Sequence, residues 1–123
     1  MSGRRFSPSE LEEFRATKYM YIRSGDHRFI AVWVVVVGDR VVVRSWNDKP
    51  GGWYRAFLKE PRGHVRLGDR EVAVCAIPMR SKMLNDSADA AYGSKYTTKA
   101  NAKYVKGLVT AKRKVTTLEL MPA

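Results

Sequence analysis

Runs of apolar residues separated by short turn signals predict a chain made mainly of β-strands. The run "RFIAVWVVVV" is apolar at almost every position, as expected of a strand covered by core on one side and by a helix or second subunit on the other. "KYMYIR" mixes aromatic and β-branched residues and predicts an earlier strand. The Gly-Asp-Arg signal in "VVVVGDRVVV" and "VRLGDREVAV" predicts two hairpins, because glycine supplies the positive φ that two-residue turns need.

Helical patterns precede, interrupt and follow these strands. Ser7, Pro8 and Glu10 form a capping-box pattern that predicts a short helix near the start of the chain. Between the hairpins, Asp48 is predicted to cap a second helix, which Pro61 ends. The segment "SKMLNDSADAAYGSKYTTKANAKYVKGLV" predicts one or two further helices, and "KVTTLEL" predicts a final strand.

The order of these elements predicts the fold class. Six strands, of which at least four lie in hairpins, favour a mainly β fold with flanking helices, a small six-stranded antiparallel barrel. A parallel sheet would need a helix after nearly every strand. We expect a single domain over residues 1–123, divided into a helix over 8–16, a barrel core over 17–78, a helical segment over 82–107 and a closing strand over 114–121.

The charge of the chain limits which partners we expect, and its cysteine content indicates the cellular compartment. The chain of 123 residues has 23 Lys and Arg against 12 Asp and Glu, and this excess attracts anions such as nucleic acid, acidic lipid or a phosphate-bearing ligand. Cys75, the single cysteine, lies in an apolar run and is predicted to be a core residue of a cytoplasmic protein. No apolar run approaches the roughly 20 residues that span a bilayer, so we expect no membrane partner. His27 and His64 are too few for a convincing metal site.

The segment "VRSWNDKPGGWYRAF" carries the main candidate chemistry. Arg44 and Ser45 stand at a predicted strand end, where a guanidinium and a hydroxyl suit a phosphate. Gly51 and Gly52 follow near a predicted helix start, where backbone can approach an anion closely. Each of these features also occurs singly in purely structural contexts.

A second basic turn and several aromatic residues extend this candidate site. Antiparallel pairing could bring the turn "RSGDHR", with Arg23, Ser24 and Arg28, beside the strand end described above. Three aromatic residues are candidates for a flat wall against a ring system: Trp46, Trp53 and Tyr54. Three residues of the later helix are candidates to cap a substrate, or alternatively to pack the helix on the barrel: Tyr92, Lys95 and Tyr96.

The run from "RSGDHRF" to "GHVRL" resembles the FMN-binding split-barrel superfamily, and in particular its deazaflavin-dependent nitroreductases. The shared pattern is a basic residue, a hydroxyl residue, Gly and Arg, then two strands, a Ser, a Gly-rich loop and Trp-Tyr. It is carried here by Arg23, Ser24, Gly25, Arg28, Ser45, Gly51, Gly52, Trp53 and Tyr54. The later "ADAAYGSKY" and "AKRKVTTLELMPA" are similar to a group of short, functionally uncharacterised bacterial proteins of that superfamily.

This resemblance implies a six-stranded split β-barrel, often dimeric, with FMN or a deazaflavin of the F420 type at the subunit interface. The leading hypothesis is therefore a homodimeric flavin- or deazaflavin-binding oxidoreductase whose substrate is a small molecule. The basic loop is shorter here than in the nitroreductases. Two alternatives stay open: a nucleic-acid-binding module that uses the lysines and tyrosines of the C-terminal part, and a protein that binds the cofactor without catalysis.

Overall fold

A computed structural model describes residues 5–123 and contains six strands and five helices in that range. In chain order the elements are α1 (Pro8–Ala16), β1 (Tyr19–Ser24), β2 (Ile30–Val37), β3 (Arg40–Val43), α2 (Trp53–Lys59), β4 (Arg62–Leu67), β5 (Arg70–Pro78), α3 (Lys82–Lys95), α4 (Lys99–Leu108), α5 (Ala111–Lys114) and β6 (Leu118–Pro122). Residues 1–4 of the predicted domain lie outside the described residues. Within the described range, no helix combines the length and the apolar character needed to cross a bilayer.

The six strands form one closed antiparallel barrel. Their order around the barrel is β1-β2-β3-β6-β5-β4, and β4 pairs with β1 to close it. The last strand, β6, lies between β3 and β5 and hydrogen-bonds to both. The predicted six-stranded antiparallel barrel with flanking helices is therefore confirmed.

Both predicted hairpin turns are present. Gly38 has φ of 63° and Gly68 has φ of 60°, and each begins a two-residue connection between paired strands. A side chain at either glycine would meet the steric penalty of the left-handed region. The two Gly-Asp-Arg signals therefore set the register of β2 with β3 and of β4 with β5.

The barrel interior is apolar, and a helix closes each end of it. Inward residues of all six strands form one buried cluster, which also includes Phe14 of α1 and both Trp53 and Phe57 of α2. The capping box predicted for α1 is present, with Ser7 and Glu10 bonded reciprocally. These two helices replace water at the open ends of the barrel.

A second apolar cluster lies outside the barrel, over β2 and β3. Val35 and Val42 point outward and pack under Tyr92 of α3, under Tyr96 directly after this helix and under Leu108 of α4. The helical segment breaks after α3, and Thr98 caps α4 by accepting from the Asn101 amide. A helical cover thus explains why the β2 sequence is apolar on both faces.

The side chains at the end of α3 join the helix to the end of the β1–β2 ladder. The Val34 amide donates to the Tyr96 hydroxyl at 3.1 Å, and that hydroxyl donates to the Lys18 carbonyl oxygen. Burial raises the pKa of Tyr96 to about 12, so the hydroxyl keeps its proton at neutral pH. The Lys95 amine donates to the carbonyl oxygens of Phe14 and Val34, and burial lowers the pKa of Lys95 to about 8.

Tyr92 and Tyr96 provide a matched pair of variants. Tyr96→Phe is expected to lower the free energy of unfolding by about 1 to 3 kcal/mol, because it leaves the buried Val34 amide without a partner. The Tyr92 hydroxyl is buried and has no hydrogen-bond partner within the described residues, so Tyr92→Phe should leave the free energy of unfolding unchanged or raise it. Urea unfolding measures both values, and equal losses in the two variants would contradict this account.

The closing strand begins later than the predicted range 114–121. Lys114 ends α5, and β6 starts at Leu118. Thr116 and Thr117 donate their hydroxyls to the carbonyl oxygens three residues earlier, at 2.7 and 2.6 Å. Side-chain bonds to the local backbone compete with a strand ladder, which keeps the two threonines in a helical turn despite their β-branching.

Two further local predictions are wrong. Asp48 does not cap α2, whose N-cap is Gly52, because the Asp48 carboxylate is held by Arg55 at 2.6 Å. Cys75 is half-buried rather than in the core, since Val74 and Ala76 occupy the inward positions of β5 and the alternation turns Cys75 outward.

Candidate functional site

A cavity of about 750 Å³ opens at the end of the barrel where β1 leads into β2 and where β3 ends. It is built from three parts of the chain, residues 27–33, 44–53 and 101–108. Cavities that hold cofactors or other small molecules usually measure roughly 300 to 1,000 Å³. The size therefore suits a small-molecule ligand.

Aromatic rings form much of the cavity wall. Trp33, Trp46, Trp53 and Tyr104 all line it. Trp33 stacks on Tyr96 behind it, with ring centroids 3.9 Å apart and planes inclined by 4°. Tyr104 meets Trp46 edge-on at 5.7 Å and Trp33 at 6.3 Å. Such a wall offers several flat surfaces to a planar ligand.

Trp46 is held in place although 42% of it is exposed. The Arg113 guanidinium lies 3.7 Å from the centroid of the Trp46 ring, and its Nε donates to the Trp46 carbonyl oxygen at 2.6 Å. Gly107 of α4 packs so closely that a Cβ there would lie 2.5 Å from the Trp46 ring. These contacts hold the Trp46 ring in one orientation at the mouth of the cavity.

The cavity rim is cationic. In the described part of the chain, the side chains of Arg28 and Lys49 have no hydrogen-bond or ion-pair partner, and no Asp or Glu lines the cavity. A concave surface with unpaired cations concentrates anions. The site therefore favours a ligand that joins an aromatic ring to a negative group.

His27 connects the two loops that form the rim. Its Nδ1 lies 3.0 Å from the carbonyl oxygen of Arg28, and its Nε2 lies 3.2 Å from that of Gly51. These contacts fix the turn after β1 against the loop before α2. A neutral imidazole carries one N–H, so His27 donates to one of these two carbonyl oxygens at a time.

The phosphate role predicted for Arg44 does not fit its surroundings. Its side chain is fully buried, and its five N–H groups donate to Thr117, Asp89, Leu108 and twice to Asn85. A guanidinium has five N–H groups, so none remains for a ligand. Arg44 is among the residues that line the cavity, but its side chain joins the end of β3 to α3 and α4.

Arg23 and Ser24 lie away from the cavity. Arg23 points outward from β1, with its guanidinium carbon 4.6 Å from the centroid of the Phe29 ring. The Ser24 hydroxyl lies 3.0 Å from the Ala56 carbonyl oxygen and 2.6 Å from that of Glu60, and it donates to one of them at a time at the end of α2. Of the two segments that were predicted to converge, Arg28, Arg44 and Ser45 line the same cavity, whereas Arg23 and Ser24 do not.

The remaining predicted site residues divide between the cavity and the scaffold. Ser45 lines the cavity but donates its hydroxyl to the Asn47 carbonyl oxygen, and Gly52 makes a turn with its amide bonded to Lys49. Tyr54 packs on the core and donates to the Val115 carbonyl oxygen at 3.1 Å. The three candidates to cap a substrate do not line the cavity, and they pack α3 on the barrel instead: Tyr92, Lys95 and Tyr96.

Comparison with known proteins identifies the fold and the family. The chain is similar in structure to the conserved hypothetical protein Rv2991 from Mycobacterium tuberculosis, with a TM-score of 0.60 and 12% identity over 100% of this chain and 83% of that chain. At this identity the likeness shows the fold alone. The curated proteins give no match. Residues 10–120 match the model of a family described as "Uncharacterized protein conserved in bacteria (DUF2255)", and the chain therefore belongs to this family.

Proposed function

We propose that the cavity binds a flavin or deazaflavin nucleotide and that the protein is an oxidoreductase of the split-barrel type. The observation that carries this proposal is the combination of an aromatic wall with an unpaired cationic rim. The resemblance of the sequence to deazaflavin-dependent nitroreductases supports the same class of ligand.

The aromatic residues would hold the ring system. Trp33 and Trp46 are fixed by stacking and by the Arg113 contact, so little side-chain entropy would be lost on binding. Tyr104 and Trp53 complete the wall and exclude water from the ring. A bound isoalloxazine or deazaisoalloxazine ring would replace solvent on several aromatic faces at once.

Arg28 and Lys49 would hold the phosphate. The planar guanidinium of Arg28 suits two oxygens of a phosphate, and the Lys49 ammonium adds a flexible point charge. This arrangement differs from the predicted one, because Lys49 has the phosphate-binding role that the sequence analysis predicted for Arg44. The hydrogen bonds of His27 would keep both cations on the same side of the mouth.

When bound, the cofactor supplies the hydride or electron chemistry. The chain contributes binding, orientation and exclusion of water, since no carboxylate or thiol in the described residues lines the cavity. We assign no catalytic residue. A protein that binds the cofactor without reacting remains the closest alternative, and reduction of the bound cofactor by a nicotinamide hydride donor would separate the two.

A homodimer, which the resemblance implies, is part of this proposal. The outer face of β1 is open, and Tyr19 and Tyr21 are 53% and 39% exposed there, in edge contact at 5.9 Å. Exposed aromatic residues are enriched in subunit interfaces. We place the proposed interface on this face.

Titration with FMN and with a deazaflavin, followed by ligand and tryptophan fluorescence, tests the proposal. Arg28→Ala is expected to weaken binding by about 1 to 3 kcal/mol through loss of a charged hydrogen bond. The matched control is Lys59→Ala, which removes an exposed cation of α2 that does not line the cavity and should leave affinity unchanged. Absence of binding of either ligand to the wild-type protein, or equal affinity in the Arg28 variant, would contradict the proposal.

A further inference from the structure

The C-terminal third of the molecule carries a cationic surface that the proposed cofactor site does not use. Residues 90–118 contain seven Lys and Arg and no Asp or Glu: Lys95, Lys99, Lys103, Lys106, Lys112, Arg113 and Lys114. A stretch of this composition repels its own copies and attracts polyanions.

Four of these cations are free to meet a partner. Lys95 is bonded to backbone carbonyl oxygens, Lys114 pairs with Asp89 at 2.8 Å, and Arg113 lies on Trp46. The other four are exposed or near the surface, and they have no acidic partner in the described chain; we call them the lysine surface: Lys99, Lys103, Lys106 and Lys112.

The geometry of α4 aligns three members of the lysine surface. Lys99, Lys103 and Lys106 follow at i, i+4 and i+7, which places them along one side of the helix. Leu108, which is buried, and the half-buried Val105 face the barrel on the other side. The result is a cationic row about two turns long.

Two exposed aromatic rings lie beside this row. Tyr104 is 45% exposed and Trp46 is 42% exposed, with their ring centroids 5.7 Å apart. The Lys103 ammonium lies 5.2 Å from the centroid of the Tyr104 ring. Cations that alternate with exposed rings form the surface on which single-stranded nucleic acids bind, with phosphates on the cations and bases on the rings.

We propose that the lysine surface, with Tyr104 and Trp46, binds single-stranded nucleic acid. A second copy of this chain does not fit, because the same cations would then face each other. A polyanion without bases would contact the lysines but would leave the Tyr104 and Trp46 rings without a stacking partner. The four lysines lie outside the cavity, but Tyr104 and Trp46 also line it, so a bound cofactor would compete with the bases for these two rings. The lysine variants below test the surface without changing a residue that lines the cavity.

Fluorescence anisotropy with a labelled oligothymidylate or oligouridylate tests the proposal on the full chain. The logarithm of the association constant is expected to fall with the logarithm of salt concentration with a slope of about −2 to −3, as for three or four phosphates. Lys103→Glu with Lys106→Glu should weaken binding at least tenfold and make the slope shallower by about 1.4. Lys18→Glu with Lys59→Glu changes the net charge equally outside this surface and should weaken binding much less.

A second variant tests the role of the rings. Tyr104→Leu keeps an apolar side chain and is expected to weaken oligonucleotide binding about tenfold, with heparin binding unchanged. Three outcomes would overturn the proposal: no oligonucleotide binding at physiological salt, equal binding of heparin or phosphatidylglycerol vesicles with no effect of Tyr104→Leu, or a change of oligomeric state in the lysine variants.

Discussion

Arg44→Ala is expected to lower the free energy of unfolding by about 3 to 5 kcal/mol. The buried guanidinium makes five hydrogen bonds, one of them to Asp89 at 2.6 Å. Its removal would leave the Asp89 carboxylate with one cation fewer, and the Leu108 carbonyl oxygen and Asn85 Oδ1 would lose this donor. The loss would detach α3 and α4 from β3, and with them the support of the cavity wall.

Urea unfolding followed by tryptophan fluorescence measures this effect, and Arg28→Ala is the matched control. Arg28 is exposed and unpaired in the described residues, so its removal should change stability by at most about 0.5 kcal/mol. The two substitutions should therefore have different effects. Arg44→Ala should lower stability, whereas Arg28→Ala should weaken binding of the anionic ligand. A stable Arg44→Ala protein would refute the structural role.

Gly63→Ala is the second substitution with a large expected effect. A Cβ at Gly63 would lie 2.0 Å from the carbonyl oxygen of Arg23, and 3.0 Å from the Phe57 ring. Gly63 pairs with Ser24 in the β1–β4 ladder, so the clash involves backbone that cannot rotate away. We expect a loss of about 3 kcal/mol or more in the free energy of unfolding, at or beyond the upper end of overpacking effects.

Gly93→Ala is the control for this prediction. Gly93 lies inside α3, and a Cβ there would meet no atom within 4 Å. Alanine is favoured over glycine in a helix interior by about 0.5 to 1 kcal/mol, so Gly93→Ala should raise stability by that amount. The same thermal or urea melts serve both variants, and a destabilised Gly93→Ala with a normal Gly63→Ala would contradict the structure.

The barrel could be predicted because its signals are local. Two-residue Gly-Asp turns specify hairpins by themselves, and the doubly apolar β2 requires a cover on its outer face. The capping box at Ser7 is equally local. The start of β6 could not be placed, because the hydroxyls of Thr116 and Thr117 find partners in the preceding turn.

The site was only partly predictable because its contacts join distant segments. Strand alternation puts Val42 of β3 and Arg44, which follows this strand, on one face, but the sequence does not show that α3 covers this face. Asp89 and Asn85 stand one turn apart on α3, a pattern of polar residues on an inner helix face that could have indicated a buried cation. Trp33 could not be identified as a site residue, because it stands in an apolar run and stacks on Tyr96, which is distant in sequence.

The position of β6 has a consequence for how the protein is made. Because β6 is inserted between β3 and β5, a nascent chain that has not yet released this segment from the ribosome must leave two strand edges open. Open edges pair readily with other chains. The barrel can therefore close only after β6 has left the ribosome, and chaperones would protect the open edges until then.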